Sequence, residues 1–302
     1  MQVRWEGVYP ALTTELTPQG RVDAAAVEGH ARWLVEQGCA GLVPLGSLGE
    51  GAALDFDERL EVLRAVLAGA GGRVPVVAGI AALSTAEAVR LACAAQAQGC
   101  SALMVLPPLT HTPDWRELRA HLGAVLQSTG LPAMLYNNPA AYRTDFLPAQ
   151  IAELAAAYPG LAAVKESSGD ARRITALRAL CADRLALLVG LDDCVVEGVR
   201  AGARGWVAGL VNAFPRESVA LFALACDGRP EQAAALDALH RWFLPLLRLD
   251  GLPKFVQHLK LAQELVGRGS ARVRPPRLPL EGEELAAARQ AIAAALATRP
   301  AV

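Results

Sequence analysis

From residue 8 to residue 208 of this 302-residue chain, about eight short β-rich runs alternate with amphipathic Ala/Leu/Arg segments. Alternating strand and helix builds βα units on a parallel sheet, and eight parallel strands close on themselves. Helical patterning alone then continues to the C-terminus, which is more helix than a minimal barrel needs. The sequence therefore predicts an α/β fold, a (β/α)8 TIM barrel with a C-terminal helical extension.

The strands fall at 8–11, 41–45, 74–79, 102–106, 133–137, 161–165, 185–190 and 205–208. Helices are predicted between them at 23–37, 55–68, 84–98, 114–129, 148–158, 170–180 and 194–201. Several open on Asp or Ser, whose side chains cap the free N–H groups of a first turn. A weak internal echo links Gln37-Gly38-Cys39-Ala40-Gly41 with Gln98-Gly99-Cys100-Ser101-Ala102. In each, a glycine ends a helix and an apolar strand follows almost at once. After the eighth strand, helices are expected at 215–228, 231–249, 254–266 and 281–298, interrupted by Arg274-Pro275-Pro276-Arg277-Leu278-Pro279. The chain divides accordingly into a catalytic barrel, residues 1–227, and a helical region, residues 228–302, packed on it.

Composition narrows the function. A formal net charge of -1 without a basic run removes the attraction on which nucleic-acid binding depends. Small-molecule chemistry is expected, with neither nucleic acid nor membrane as partner. The N-terminus, Met1-Gln2-Val3-Arg4-Trp5-Glu6-Gly7, lacks the apolar stretch of a signal peptide, and no apolar run is long enough to cross a bilayer, so a cytoplasmic protein is expected. The six cysteines are far apart and include no Cys-x-x-Cys pair, which makes them small buried apolar residues instead of bridges. The histidines have no spacing that brings two imidazoles to one metal, and the glycines at 69, 71 and 72 precede a strand instead of following one. Neither a metal nor an organic cofactor is expected.

Three of the 29 basic residues are lysines, and Lys165 ends the apolar run Leu161-Ala162-Ala163-Val164. An amine, unlike a guanidinium, can lose its proton and attack a carbonyl. Burial disfavours an ammonium, so an interior lysine is a candidate Schiff-base nucleophile; the alternative is a strand-end lysine reaching out to solvent. Barrel chemistry gathers where strands end, and two other ends are unusual. The second strand runs into Gly46-Ser47-Leu48-Gly49-Glu50-Gly51, whose N–H groups can cradle a carboxylate beside the Ser47 hydroxyl, although a plain tight turn uses the same glycines. The fifth ends in Tyr136-Asn137-Asn138-Pro139. Neighbouring strands lie about 4.8 Å apart, so Tyr136 and Lys165 can face one ligand.

A 2-oxo acid fits these parts, with its carboxylate on the 46–48 turn and its carbonyl carbon at Lys165. The Tyr136 phenol is then the proton carrier for carbinolamine formation and dehydration, although taken alone it is equally a core tyrosine. Asp192-Asp193 either cap the next helix or hydrogen-bond substrate hydroxyls. Lys254 is a rival amine, expected exposed at a helix start.

These motifs resemble the class I aldolase superfamily of dihydrodipicolinate synthase and N-acetylneuraminate lyase. The resemblance runs from Gly7-Val8-Tyr9-Pro10-Ala11-Leu12-Thr13-Thr14 to the C-terminal helices, and rests on Gly-Ser/Thr-x-Gly-Glu at 46–50, Tyr-Asn-x-Pro at 136–139 and Val-Lys-Glu at 164–166. It implies Lys165 as Schiff-base lysine, Tyr136 as proton-transfer phenol, and Ser47 with Gly46 and the Leu48 backbone as carboxylate site. Gly190 and Val207 are further candidate substrate-lining positions, and Glu50 supports the loop. A homotetramer, built as a dimer of dimers, is also implied.

Three positions depart from the synthase pattern. Leu48 stands at the second threonine of the first motif. Leu109 stands where synthases carry a tyrosine, donated across a subunit interface, that completes a proton relay; His111 is the nearby substitute. Ala141 stands where an arginine binds the second substrate's carboxylate, with Arg143 two residues on. The reading is a Schiff-base lyase for a pyruvate-like 2-oxo acid, a catabolic aldolase, dehydratase or deaminase of a 2-keto-3-deoxy sugar acid or hydroxypyrroline carboxylate. The alternatives are 4-hydroxy-tetrahydrodipicolinate (dihydrodipicolinate) synthase and a non-catalytic relative that binds a 2-oxo acid.

Overall fold

The computed structural model describes residues 2–301. Seven strands, β1 Gly7–Pro10, β2 Val77–Ile80, β3 Ala102–Val105, β4 Ala133–Asn137, β5 Leu161–Glu166, β6 Ala186–Val189 and β7 Gly205–Ala208, form one parallel sheet in the order β1-β7-β6-β5-β4-β3-β2. The strand expected at 41–45 is reduced to two isolated parallel bridges, Ala11 to Val43 and Leu42 to Val76. Those bridges join the free edges of the sheet. The Val43 N–H donates to the Pro10 carbonyl at 2.9 Å, and the Val77 N–H to the Leu42 carbonyl at 2.8 Å. The ladder stays short because Pro44 has no N–H to donate and Leu45 turns into the left-handed region at φ 64°. With this eighth stave the barrel closes.

Helices α1 Ala24–Glu36, α2 Phe56–Ala70, α3 Thr85–Ala97 and α4 Trp115–Gln127 each follow an Asp or Ser whose side chain accepts a first-turn N–H. Asp55 and Asp114 form reciprocal capping boxes with Glu58 and Glu117. A short helix absent from the sequence reading, α5 Pro139–Tyr142, follows β4. The outer layer continues with α6 Pro148–Ala157, α7 Arg172–Cys181, α8 Val195–Ala201 and α9 Pro215–Asp227. All six cysteines are free. Cys39 and Cys100 are buried, whereas Cys93 and Cys226 are exposed on α3 and α9, contrary to the expectation that all would be interior.

The extension adds α10 Ala233–Leu247, α11 Phe255–Leu265 and α12 Gly282–Ala297. Among the described residues no helix is long and apolar enough to cross a membrane. Helix α11 reaches onto the barrel mouth, where the buried Lys260 Nζ donates to the Thr14 carbonyl at 2.8 Å and to Glu50 Oε1 at 3.2 Å. Gln263 Nε2 donates to Glu15 Oε1 at 2.9 Å. A charge pair this deep is tolerated because both ions have partners. The extension thus clamps the loops after β1 and after the eighth stave, on the face where strand ends converge.

Candidate active site

Strands β4 and β5 pair in register, Tyr136 opposite Lys165 and Asn137 opposite Glu166. Side chains alternate across a strand, so the first pair shares one face and the second pair the other. Lys165 is buried, and its Nζ lies 4.2 Å from the centroid of the Tyr136 ring. Among the described residues it has no hydrogen bond to the protein. The other two lysines are engaged: Lys260 with Glu50, and the half-exposed Lys254 with Glu284. Gly190 makes room for the Lys165 stem, since a methyl group there would lie 1.8 Å from Ser167 Oγ and 2.8 Å from Lys165 Cε.

Asn137 and Asn138 fix the loop beyond β4. Asn137 Oδ1 accepts the Phe146 N–H at 3.0 Å, and its Nδ2 donates to Glu166 Oε2 at 3.1 Å. Asn138 Oδ1 caps α5 by accepting the Ala141 N–H at 3.0 Å, while Asn138 Nδ2 donates to the Tyr136 phenol oxygen at 2.9 Å. With a lone pair on that oxygen engaged, the phenol proton remains available to a ligand. Helix α5 carries Tyr142, whose hydroxyl is hydrogen-bonded to Ser47 Oγ. The two tyrosine rings meet edge-on, centroids 5.8 Å apart at 79°. Burial, reinforced by the nearby Tyr136, pushes the Tyr142 phenol well above its ordinary range, so it stays neutral and keeps its proton.

The turn after the eighth stave folds tightly, with the Glu50 N–H on the Ser47 carbonyl at 3.1 Å and the Gly51 N–H on the Gly46 carbonyl at 3.2 Å. Among the described residues, the N–H groups of Ser47 and Leu48 are not used by any protein acceptor, which leaves them open to an anion. Gly49 is required by close approach, since a Cβ would sit 2.7 Å from the Leu12 carbonyl oxygen. Buried Glu50 takes the Lys260 ammonium and, at 2.7 Å, the Arg274 N–H. It anchors the turn to the extension.

All seven candidates, Gly46, Ser47, Leu48, Tyr136, Lys165, Gly190 and Val207, line one cavity of about 810 Å³, a size suited to a small ligand. Leu109 and Ala141 line it as well. The two proposed substitutes do not. His111 lies on the outer surface with its Nε2 3.4 Å from Glu117 Oε2, and Arg143 is exposed, caught at φ 54° as the cap of α5. Asp192 neither caps a helix nor meets the cavity. It is buried, accepting the Trp206 indole N–H at 3.0 Å and the N–H groups of Gly209 and Leu210 at 3.0 and 2.7 Å, and so ties the end of β6 to the end of β7.

Three polar side chains of the cavity have no site role in the sequence reading: Tyr142, Asp250 and Arg277. Tyr142 had a signal in Asn138-Pro139, which starts a short helix straight after Tyr136 and so brings a second tyrosine six residues on. Asp250 and Arg277 come from the extension, where no motif marks them.

Fold and cavity together define the class, a barrel lyase. More narrowly, the chain belongs to the dihydrodipicolinate synthetase family, whose model matches residues 4–295. It is 36% identical over 292 residues to the 4-hydroxy-tetrahydrodipicolinate synthase of Xanthomonas axonopodis pv. citri, covering 96% of this chain and 95% of that one. With the protein of the same name from Methylococcus capsulatus it shares 36% identity over 239 residues, 78% and 82% of the two chains. YagE, a prophage protein of E. coli K12 belonging to the dihydrodipicolinic acid synthase family and solved in complex with pyruvate, matches with a TM-score of 0.90 at 26% identity, over 97% of this chain and 99% of that one. The relatives' names favour the synthase, the reading set second on sequence grounds.

Proposed function

We propose that this chain is a Schiff-base lyase acting on a pyruvate-like 2-oxo acid, in a catabolic aldol cleavage, dehydration or deamination. The observation that carries the reading is the buried Lys165 amine, free of any ion pair among the described residues and 4.2 Å from the Tyr136 ring in a cavity with an anion-receptive turn. The substrate carboxylate rests on the Ser47 and Leu48 N–H groups. The neutral amine adds to the carbonyl carbon; the nitrogen gives up a proton as the carbonyl oxygen gains one, forming the carbinolamine. A second proton on that oxygen lets it leave as water, and the iminium remains. Tyr136 carries these protons, with the Ser47–Tyr142 pair as the next hydroxyls along the path. The iminium accepts the electron pair released when an adjacent C–H or C–C bond breaks, and hydrolysis finally returns the amine.

A second reading, 4-hydroxy-tetrahydrodipicolinate synthase, is favoured by the curated relatives' names and by Arg277, which brings a guanidinium to the cavity wall. Leu109 and Ala141 argue against it, since both cavity positions lack the polar groups expected of a synthase. The deciding experiment compares pyruvate plus aspartate semialdehyde with 2-keto-3-deoxy sugar acids and hydroxypyrroline carboxylate. A higher kcat/KM for one of the last two supports the catabolic reading; a higher value for the semialdehyde restores the synthase. The homotetramer implied by family resemblance belongs to the same proposal, and light scattering tests it.

A further inference from the structure

Asp250 is a cavity carboxyl that the proposed chemistry does not use. It sits in the short 3-10 turn Arg248–Gly251 between α10 and α11, and it lines the cavity together with Lys165. Its Oδ2 accepts the Asp192 N–H at 3.3 Å. Among the described residues its Oδ1 has no hydrogen-bond donor, although a carboxylate can accept about four. Gly209 makes space for it, since a Cβ at that glycine would lie 2.7 Å from Oδ1. Leu191, Val207, Leu252 and Phe255 line the same cavity, and burial raises the Asp250 carboxyl to about 6, the charge of Lys165 offsetting only part of that effect. An accessible carboxylate oxygen so placed is costly to keep unless something polar comes to meet it.

The position of Asp250 says which part of a ligand it meets. The anion-receptive turn follows the eighth stave at 41–43, whereas Asp250 stands over the ends of β6 and β7, against Asp192 and Gly209. In the ring of staves, β1 lies between β7 and the stave at 41–43, so the turn and Asp250 belong to different sectors of the mouth. A 2-oxo acid held by its carboxylate on the turn and by its carbonyl carbon on Lys165 has only its remaining carbons to extend toward Asp250.

We infer that Asp250 is a specificity-determining residue that accepts a hydrogen bond from a donor, a hydroxyl or an N–H, on the part of the substrate beyond the 2-oxo group. The inference rests on the Schiff-base reading and names the substrate class: a 2-oxo acid, or its cyclic imine, with a donor-bearing tail. A saturated tail leaves the carboxylate unmet.

The test is competition against pyruvate. Borohydride trapping of labelled pyruvate on the intact protein is slowed by any 2-oxo acid that occupies the cavity, whether or not it is turned over. Competitors are 2-oxobutyrate, which has no donor; a 2-keto-3-deoxy sugar acid, which offers hydroxyls and no nitrogen; and a 2-oxo acid with a terminal amine and no hydroxyl. In Asp250→Ala at least one donor-bearing competitor should lose about 10-fold or more in potency relative to 2-oxobutyrate, the scale of a hydrogen bond to a charged group. Which of the two loses more identifies the donor. Asp250→Asn keeps the shape and removes the charge, and should change the ratio in the same direction should the alanine variant fold poorly. An unchanged ratio in a folded variant, with all competitors weakened equally or not at all, overturns the inference and makes Asp250 a support for Lys165 or for Asp192. Absence of any pyruvate adduct in the unaltered protein instead sinks the Schiff-base reading itself.

Discussion

Lys165 and Tyr136 are register partners at the ends of adjacent parallel strands, and the lysine Nζ lies 4.2 Å from the centroid of the tyrosine ring. The amine is held over an aromatic face instead of in an ion pair. A lysine in a buried ion pair must break it before attacking a carbonyl, and breaking such a pair costs several kcal/mol. Lys260 is in that state and Lys165 is not.

Tyr136→Phe should lower turnover by about 10²-fold or more, the lower end of what general acid–base help is worth. The ring keeps its place against Lys165 and Tyr142, so the thermal unfolding midpoint should move little. Steady-state kinetics at saturating substrate checks this; unchanged turnover, where chemistry limits the rate, would return Tyr136 to a packing role.

Ser47 and Tyr142 share one hydrogen bond, so their substitutions should not add. Ser47→Ala and Tyr142→Phe should each reduce kcat/KM, and the double variant should fall short of the product of the two losses. Fully additive losses would mean that the hydroxyls act separately.

Gly190→Ala should slow pyruvate trapping by about 10-fold or more. The added methyl would overlap Ser167 Oγ and crowd Lys165 Cε, and displacing a reacting atom by an ångström is worth up to about 10²-fold. Trapping at the unaltered rate in a folded variant would show that the lysine stem has another route.

Acid stability should depend on His30, which is buried with Nε2 on Asn212 Oδ1 at 3.1 Å and Nδ1 unpartnered. Burial holds it down from 6.5 to about 4. Between those values the unfolded chain takes up a proton that the folded chain refuses. Stability is therefore full above the unfolded value and falls as pH drops from 6.5 toward 4, by up to about 3 kcal/mol for a shift of this size. Urea unfolding at pH 7 and pH 5 should give a smaller difference for His30→Gln than for the unaltered chain; equal differences would contradict the assignment.

The barrel and the core of its candidate site are legible because both are local in sequence. Strand alternation needs only neighbouring residues, and Lys165, Tyr136 and the 46–50 turn each end a strand, where barrel chemistry must lie. The stave at 41–45 has the sequence of an ordinary strand because its apolar run hides what Pro44 does to a ladder. His111 and Arg143 looked like substitutes by spacing along the chain, yet the side-chain direction is set by the loop after β3 and by the left-handed cap of α5. Asp250 and Arg277 were illegible for a different reason. They reach the cavity through the packing of α11 on the barrel mouth, carried by pairs such as Lys260–Glu50 that lie 210 residues apart.

The central claim is that Lys165 forms a covalent imine with a 2-oxo acid. Incubation with pyruvate and borohydride, followed by proteolysis and mass spectrometry, reads it directly. The account predicts a single reduced carboxyethyl adduct, on Lys165 and absent from Lys165→Arg. An adduct on Lys254 or Lys260, or none in a preparation that turns over substrate, would contradict it.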